Sequence, residues 1–248
     1  MADISGQAGV SAPKVRIGQR GRLADFTRRL FREKPLGAFG AVMCLVFLVT
    51  GLFADFIAPF GYNEMNPIDR LKPPSVEYFL GTDQIGRDVF SRIVHGARTS
   101  LIIGFSAAFF SIIISCVIGI TTGYFRGKFD MLVQRMVDAW MSFPDLVVVI
   151  VAVSVFGPGM WQVILVLSLL YGIAGSRIVR SAVLTVKEND YVHAAESVGV
   201  STIRILLRHI LPNIMAPIIV LFTTRLAAVI LVEAGLSFLG LGVPPPAP

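Results

Sequence analysis

Residues 190–213 read DYVHAAESVGVSTIRILLRHILPN, a polar and amphipathic segment between two long apolar runs. The segment predicts two short helices joined at Gly199, because glycine readily adopts the left-handed conformation that ends a helix. Asp190 can cap the first helix and Ser201 the second. The second helix places Ile203, Leu206, Leu207, Ile210 and Leu211 at i, i+3, i+4, i+7 and i+8, with Arg204 and Arg208 on the other face. This stripe predicts a surface helix that lies on a membrane or on a partner protein.

The same segment carries a set of small and apolar residues at fixed spacing: Ala194 and Ala195, Gly199 four positions after the second alanine, and Leu211 followed by Pro212. This set is similar to the EAA loop of permease subunits in ATP-binding-cassette importers. The resemblance implies a cytoplasmic coupling element that docks into a cleft on a separate ATPase subunit. The chain departs from the motif at one position, where His193 replaces the glutamate and Glu196 follows one turn later. The polar contact at this position stays open, and a generic helix-glycine-helix connector or a DNA-binding helix-turn-helix is the alternative interpretation.

The composition indicates an integral membrane protein. Of 248 residues, 54% are hydrophobic and 15% charged, and the mean hydropathy is +0.73, whereas about a quarter of the residues in soluble domains are charged. The net charge is +6, but the basic residues lie beside apolar runs, which favours an anionic lipid leaflet over nucleic acid. Cys44 and Cys116 lie inside apolar runs, which argues against a disulfide framework, and the three histidines have no metal-ligand spacing. We therefore expect no metal site.

Five apolar runs predict an all-α fold, a polytopic transmembrane helix bundle. At about 1.5 Å per residue, such runs can cross roughly 30 Å of hydrocarbon. They cover residues 36–54, 99–125, 131–156, 160–176 and 214–238. Pro144 should kink the third run, and the GxxxG pair of Gly119 and Gly123 allows a close helix contact.

Charge distribution predicts the orientation of the chain. Residues 1–35 form a basic tail that should stay in the cytoplasm. Residues 36–248 form the transmembrane domain, with an external loop at 61–98 and the cytoplasmic coupling loop at 190–213. Five spans put the C-terminus outside, whereas permeases of the type resembled here have six spans and both ends in the cytosol. We therefore expect that the sequence stops before a last helix.

The external loop carries a second motif, LGTDQIGRD at residues 80–88. It resembles the outer loop of dipeptide, oligopeptide and nickel permease subunits, and EAGLSFLGLG at 233–242 resembles the same family. The motif residues are Gly81, Thr82, Asp83, Gly86, Arg87 and Asp88. The resemblance implies the fold of a type I importer permease, most similar to the C-type subunit of a dipeptide transporter. The physical alternative is a glycine-punctuated loop that leads into a helix.

Four charged residues interrupt the apolar runs: Asp138, Asp145, Arg225 and Glu233. Each would cost roughly 2.5 kcal/mol or more if it faced lipid at mid-depth, so they should face a water-filled pathway or one another. Asp138 is the expected partner of Arg225, and Asp145 and Glu233 can reach headgroup water at the ends of their spans. The sequence has no nucleophile, base and acid in catalytic order and no Walker motif, so we expect no catalysis and no bound cofactor in this chain.

The resemblance implies a permease subunit in the bacterial cytoplasmic (inner) membrane that forms half of a translocation pathway for di- or oligopeptides. Nickel or another small solute is the alternative cargo. The implied partners are a second permease subunit, two ATP-binding subunits that hold ATP and Mg²⁺, and an extracytoplasmic solute-binding protein. An ion-coupled secondary transporter and a scaffold or sensor are the other classes. Residues 190–213 argue against both, because neither class needs an amphipathic helix pair presented to a soluble partner.

Overall fold

The computed structural model describes residues 30–243. The chain divides into two compact units, Met1–Leu48 and Val49–Pro248. Residues 30–243 contain helices, turns and loops without a strand, and one isolated bridge joins Thr82 to Asp88. The predicted all-α fold is therefore confirmed. Residues 1–29 of the predicted basic tail lie outside the described residues.

Helix α1, Pro35–Leu52, matches the first predicted span and crosses the boundary between the two units. It contains no charged residue and begins with proline, which suits a first helical turn. A short helix α2, Ala54–Ile57, follows.

Helices α3, Val89–Phe125, and α6, Met160–Lys187, form the centre of the second unit and pack along each other. The predicted GxxxG contact lies in this interface. A Cβ on Gly119 would come within 2.7 Å of the Val179 Cβ, and one on Gly123 within 2.9 Å of the Val183 Cβ. The two helix backbones therefore approach more closely than side chains at these positions would allow.

The third predicted span is a bent pair of helices rather than one continuous helix. Helix α4, Gly127–Met141, and helix α5, Asp145–Phe156, meet at 84°. Pro144 adopts an extended conformation at the start of α5, as its restricted backbone favours. The predicted kink position is confirmed, and the bend is sharp enough that residues 131–156 form either one broken span or a re-entrant pair of helices.

The last part of the chain is a short helix followed, after a turn at Gly199, by a continuous helical path with changing pitch. Helix α7, Asp190–Ser197, is followed by helix α8, Thr202–Ile205, a π-helical turn at Leu206–Ile210 and a 3-10 turn at Leu211–Ile214. Helix α9, Met215–Phe238, continues directly and packs on α3. Within residues 30–243, four helices are long and apolar enough to cross a membrane, or five spans if the bent pair counts as one.

The loop that precedes α3 ends at Asp88 and contains a 3-10 turn at Pro67–Asp69. The Asp88 carboxylate accepts a hydrogen bond from the Ser91 N–H at 2.8 Å and caps α3. Residues 89–98 of the predicted external segment are therefore helical, and its location outside the membrane stays a prediction. At about 1.5 Å per residue, the 37 residues of α3 span about 55 Å, well beyond the hydrocarbon layer.

Candidate functional site

Helix α7 is anchored by its apolar side. Val192 and Ala195 are buried against a cluster that includes Tyr124, Val179 and Val183 from α3 and α6. Asn189, whose backbone is extended, occupies the N-cap position, and Asp190 is already helical. The prediction of Asp190 as the cap is therefore wrong, although its charge in the first turn still suits the helix dipole.

Gly199 ends α7 in a Schellman motif. Its φ is +75°, its N–H donates to the Glu196 carbonyl at 3.0 Å, and the Val200 N–H donates to the Ala195 carbonyl at 3.1 Å. The predicted left-handed turn is confirmed. A Cβ on Gly199 would meet no described atom within 4 Å, so the position favours glycine because of its backbone conformation alone.

The apolar stripe of the second helix differs from the predicted one. Ser201 stands at the N-cap as predicted, yet its hydroxyl makes no capping hydrogen bond in the described chain. Ile205 and Ile210 are buried, whereas Ile203 and Leu207 are 70% and 62% exposed. Of the predicted stripe, Ile210 is buried and Leu206 and Leu211 pack against the same cluster, so the stripe is split between an inward and an exposed side, and a π-helical turn at Leu206–Ile210 interrupts its 3.6-residue period.

The residues of the predicted coupling motif divide into anchored and exposed positions. Ala195 is buried, while His193 and Ala194 are exposed. The Tyr124 hydroxyl donates to the Glu196 carboxylate at 3.1 Å, and His193 Nδ1 lies 3.7 Å from the same carboxylate. Glu196 therefore joins α7 to the last turn of α3 within the chain, and the docking contact at the position of His193 stays a prediction. Leu211 and Pro212 begin the 3-10 turn. Proline is tolerated there because a backbone N–H in a first helical turn would have no partner.

Two further contacts tie α3 to the segment before the loop, and the sequence did not predict them. Lys187 donates to the Tyr124 carbonyl at 2.8 Å and its ammonium lies 4.5 Å from the Tyr124 ring centre. Arg126 pairs with Glu188, and this hydrogen bond holds the pKa of Glu188 below its usual value. The sequence shows charged residues at the end of α3 and at the end of α6, but a single sequence does not show which of them form pairs.

The outward side of this region is an apolar surface with a basic rim. We call it the loop face; it consists of Tyr191, Val198, Ile203, Leu207, Arg204 and Arg208, all exposed. Exposed apolar side chains at neighbouring positions are typical of a surface that contacts a partner protein or a membrane.

The residues of the motif at 80–88 stabilise the loop that contains them through hydrogen bonds. The Asp83 carboxylate accepts hydrogen bonds from the N–H groups of Ile85 and Arg87 at 2.9 and 3.0 Å, and from the Arg87 and Arg92 guanidinium groups at 2.8 and 3.0 Å. Thr82 is buried and donates to the Asp69 carbonyl. Gly81 and Gly86 both have positive φ. The predicted motif residues therefore share a structural role, with Asp88 as the cap of α3.

The charged residues of the apolar runs do not pair as predicted. Asp138 forms ion pairs with Arg177 and, at 3.6 Å, with Arg135. It lies on the amphipathic helix α4, ahead of the bend, and so faces the end of α6 instead of α9. The predicted pairing of Asp138 with Arg225 is wrong.

Glu233 and Asp145 differ in burial. Glu233 is 7% exposed and accepts hydrogen bonds from Ser100 at 3.3 Å and Ser237 at 2.9 Å. The prediction that it reaches headgroup water is wrong, because α3 covers it. Asp145 is exposed at the start of α5.

Together, the apolar helices and the buried polar groups between them define a multi-pass helical membrane protein. Residues 115–248 match the family of the binding-protein-dependent transport system inner membrane component. Residues 22–74 match the N-terminal TM domain of oligopeptide transport permease C. The chain belongs to this family of permease subunits of ATP-binding-cassette importers. It is therefore a transporter component, and members of this family act with other importer subunits, including ATPases.

Curated relatives agree with this assignment. A protein of Brucella suis named as a peptide transport system permease protein is 41% identical over 219 residues, which cover 88% of this chain and 73% of the relative. The dipeptide transport system permease protein DppC of Alkalihalophilus pseudofirmus is 37% identical, over 88% and 71%. The glutathione transport system permease protein GsiD of Escherichia coli is 37% identical, over 90% and 74%.

Proposed function

We propose that this chain forms half of the translocation pathway for peptides and that residues 190–213 couple this pathway to separate ATPase subunits. The names of the relatives support a peptide cargo, with nickel or another small solute as the alternative. The observation that carries the coupling role is the continuous helical path from Thr202 to Phe238, which joins the loop face to a membrane span.

The contacts of residues 190–213 support a route by which a force applied to the loop face would displace the transmembrane helices. Ile203 and Leu207 dock on the ATPase, and Ile205 and Ile210 hold the same helix against α3 and α6. Glu196 adds a fixed polar link to Tyr124. Movement of the loop face is therefore transmitted to α9 along the continuous helical path, and to α3 through the packing of Ile205 and Ile210 and the Glu196–Tyr124 hydrogen bond.

The proposed assembly contains a second permease subunit, two ATP-binding subunits that hold ATP and Mg²⁺, and a solute-binding protein on the outer side. The chain lies in the bacterial inner membrane with its N-terminus in the cytoplasm, as the basic tail of residues 1–35 favours. It binds no cofactor itself.

Substitution of Gly199 tests the coupling role. Valine at a positive φ costs about 1–2 kcal/mol, so Gly199→Val should distort the link between α7 and α8. We expect cargo-stimulated ATP hydrolysis and uptake to fall about tenfold in proteoliposomes that contain the whole importer and its binding protein. The subunit should remain in the membrane and in the complex.

Gly199→Asn is the matched control, because asparagine tolerates the left-handed conformation and no described atom lies within 4 Å of the new Cβ. It should retain most of the stimulation. Wild-type stimulation in Gly199→Val would contradict the assignment of this loop.

A further inference from the structure

The loop before α3 encloses a polar cavity of about 330 Å³, which is more room than a single bound water molecule needs. Its lining includes three carboxylates and two aromatic rings, those of Glu64, Glu77, Asp88, Phe60 and Tyr78. No ion pair among residues 30–243 involves any of these three carboxylates. The cavity therefore carries negative charge that no described cation neutralises.

Asp88 is the buried carboxylate of this cavity, with only 3% of its surface exposed. Its Oδ2 accepts the hydrogen bond from the Ser91 N–H that caps α3. Its Oδ1 is also buried, and it accepts no hydrogen bond from any group within residues 30–243. A buried carboxylate oxygen without a donor is unfavourable, so Oδ1 is suited to accept from a group that enters the cavity.

Hydrogen bonds hold the walls of the cavity in place. The Phe60 N–H donates to the Ser91 hydroxyl at 3.1 Å, which ties the start of the loop to α3. The Asn66 N–H donates to the Gly86 carbonyl at 3.2 Å, and a Cβ on Gly86 would come within 1.9 Å of the Asn66 carbonyl oxygen. The rings of Phe60 and Tyr78 stack with their centres 5.2 Å apart. The cavity is therefore formed before a ligand enters it.

Carboxylates beside aromatic rings favour an ammonium or guanidinium group on an alkyl chain, because both the charges and the ring faces attract such a cation. Lys72 lies 5.9 Å from the centre of the Tyr78 ring, but it is paired with Asp69. A bare metal ion fits less well, since residues 30–243 contain no group of three or more His, Cys, Asp or Glu side chains that could hold one. The chemistry therefore points to a basic organic group.

Exposed apolar side chains adjoin the cavity. Met65 lines it and is half exposed, and Ile68 and Val76 are 91% and 95% exposed. Val76 directly precedes Glu77, and Ile68 lies in the 3-10 turn at Pro67–Asp69. Exposed apolar side chains beside a charged pocket are typical of an interface in which one side chain of a protein partner is the anchor. A freely diffusing amine would not need these apolar neighbours.

We propose that this cavity receives a lysine or arginine side chain of the extracytoplasmic solute-binding protein. The inference rests on the proposed importer and on the predicted location of this loop outside the membrane. The cation donates hydrogen bonds to Asp88 Oδ1 and interacts with Glu64 and Glu77, while its alkyl stem lies along the aromatic rings. Helix α3 runs from Ser91, which Asp88 caps, to Tyr124, which contacts the coupling loop. Docking at this cavity therefore acts on a helix that also contacts the coupling loop.

The test measures the dissociation constant of the labelled, peptide-loaded binding protein for the whole importer in nanodiscs. Asp88→Asn keeps a side chain that can cap α3 but removes its charge, and we expect the dissociation constant to rise at least tenfold. Glu64→Gln with Glu77→Gln, at exposed positions outside the helix cap, should raise it at least threefold and weaken its dependence on salt. Asp55→Asn is the control and should stay within twofold of wild type, because Asp55 pairs with Arg98 and does not line the cavity.

A photoreactive side chain at Met65 identifies the occupant of the cavity. It should form an adduct with the binding protein within a few residues of a lysine or arginine, as read by mass spectrometry. Replacement of that basic residue by glutamate should weaken binding to the wild-type importer at least tenfold. Glu77→Lys in the importer should restore part of this loss, because the charges are then exchanged across the interface.

Wild-type affinity in both Asp88→Asn and the double variant at Glu64 and Glu77 would overturn this site. An adduct of Met65 with lipid, with the second permease or with another part of this chain would also overturn it. Amide hydrogen exchange of residues 66–88 checks that the loop keeps its fold, and if Asp88→Asn loosens the loop, the double variant alone decides. These results leave the peptide cargo untouched, whereas absence of peptide uptake in the wild-type importer would instead overturn the proposed function.

Discussion

At the residue scale, Asp83 organises the outer loop by accepting four hydrogen bonds. Burial disfavours its charged form, but the backbone N–H groups of Arg87 and Ile85 and the Arg87 side chain favour it more strongly. The net effect holds the pKa of Asp83 below its usual value. The carboxylate therefore stabilises the loop at neutral pH, and this contribution is lost as the pH falls through the lowered pKa.

Replacement of this carboxylate should loosen the loop at neutral pH. Asp83→Asn removes charge-assisted hydrogen bonds worth about 1.5 kcal/mol, so we expect amide hydrogen exchange of residues 66–88 to rise about tenfold at pH 7. The wild-type loop should lose its protection as the pH falls through the lowered pKa of Asp83, after correction for intrinsic exchange rates, and the variant should show little pH dependence. Glu77→Gln, at an exposed carboxylate of the same loop, is the control and should behave like wild type.

Residue identity predicted some of these roles and missed others. Gly199 was predictable, because a polar helix followed by glycine signals a left-handed turn within a few residues. The partners of Glu196 and Asp138 were not, since Tyr124 and Arg177 are distant in sequence and only the packing of α3, α4 and α6 brings them close.

At the element scale, an ion pair holds α4 against the end of α6. The Arg180 guanidinium donates to both carboxylate oxygens of Asp130 at 2.6 and 2.5 Å. The Arg180 side chain is 29% exposed and that of Asp130 is 11% exposed. Two parallel hydrogen bonds of this kind favour the charged forms of both groups.

Loss of one partner should leave the other charge poorly solvated. We expect Arg180→Met to destabilise the subunit by about 2 kcal/mol, less than a fully buried pair because Arg180 is partly exposed. The thermal unfolding midpoint of the purified importer, followed by tryptophan fluorescence, should fall by about 4–8 °C. The double variant Arg180→Met with Asp130→Leu should recover most of this loss.

The pair of Arg177 with Asp138 is a matched control on the same two helices. Its side chains are 45% and 40% exposed, so Arg177→Met should cost less than about 1 kcal/mol. Equal losses in Arg177→Met and Arg180→Met would show that burial does not set the strength of these pairs.

Helix positions were predicted well where a run lacked charge and poorly where it did not. The first and second runs contain no charged residue, and helices α1 and α3 cover most of the residues in these two runs. Helix α6 continues to Lys187, although Arg177 and Arg180 seemed to end its span, because acidic residues of α4 neutralise those charges. Pro144 indicated a bend, but its angle depends on how α4 packs. The π-helical turn at Leu206–Ile210 was missed because a period of 3.6 residues was assumed.

At the scale of the whole molecule, α3 joins the loop that carries Asp83 to the loop face, and both of its ends are held in place. Asp88 caps its first turn, and Tyr124 in its last turn contacts Glu196 of α7. Helix α9 provides a second route from the loop face. The two routes meet where α9 packs on α3, so a movement at one end of either helix can reach the other end of the bundle.

Site-specific photo-crosslinking tests the proposed binding of the loop face to the ATPase subunit. A photoreactive side chain at Ile203, which is exposed on that face, should yield a covalent adduct with the ATPase subunit in the assembled importer. The same group at Val76, exposed on the outer loop, should not. Mass spectrometry identifies the crosslinked partner. An ATPase adduct from Val76, or none from Ile203 in an importer that hydrolyses ATP and transports its cargo, would contradict this account.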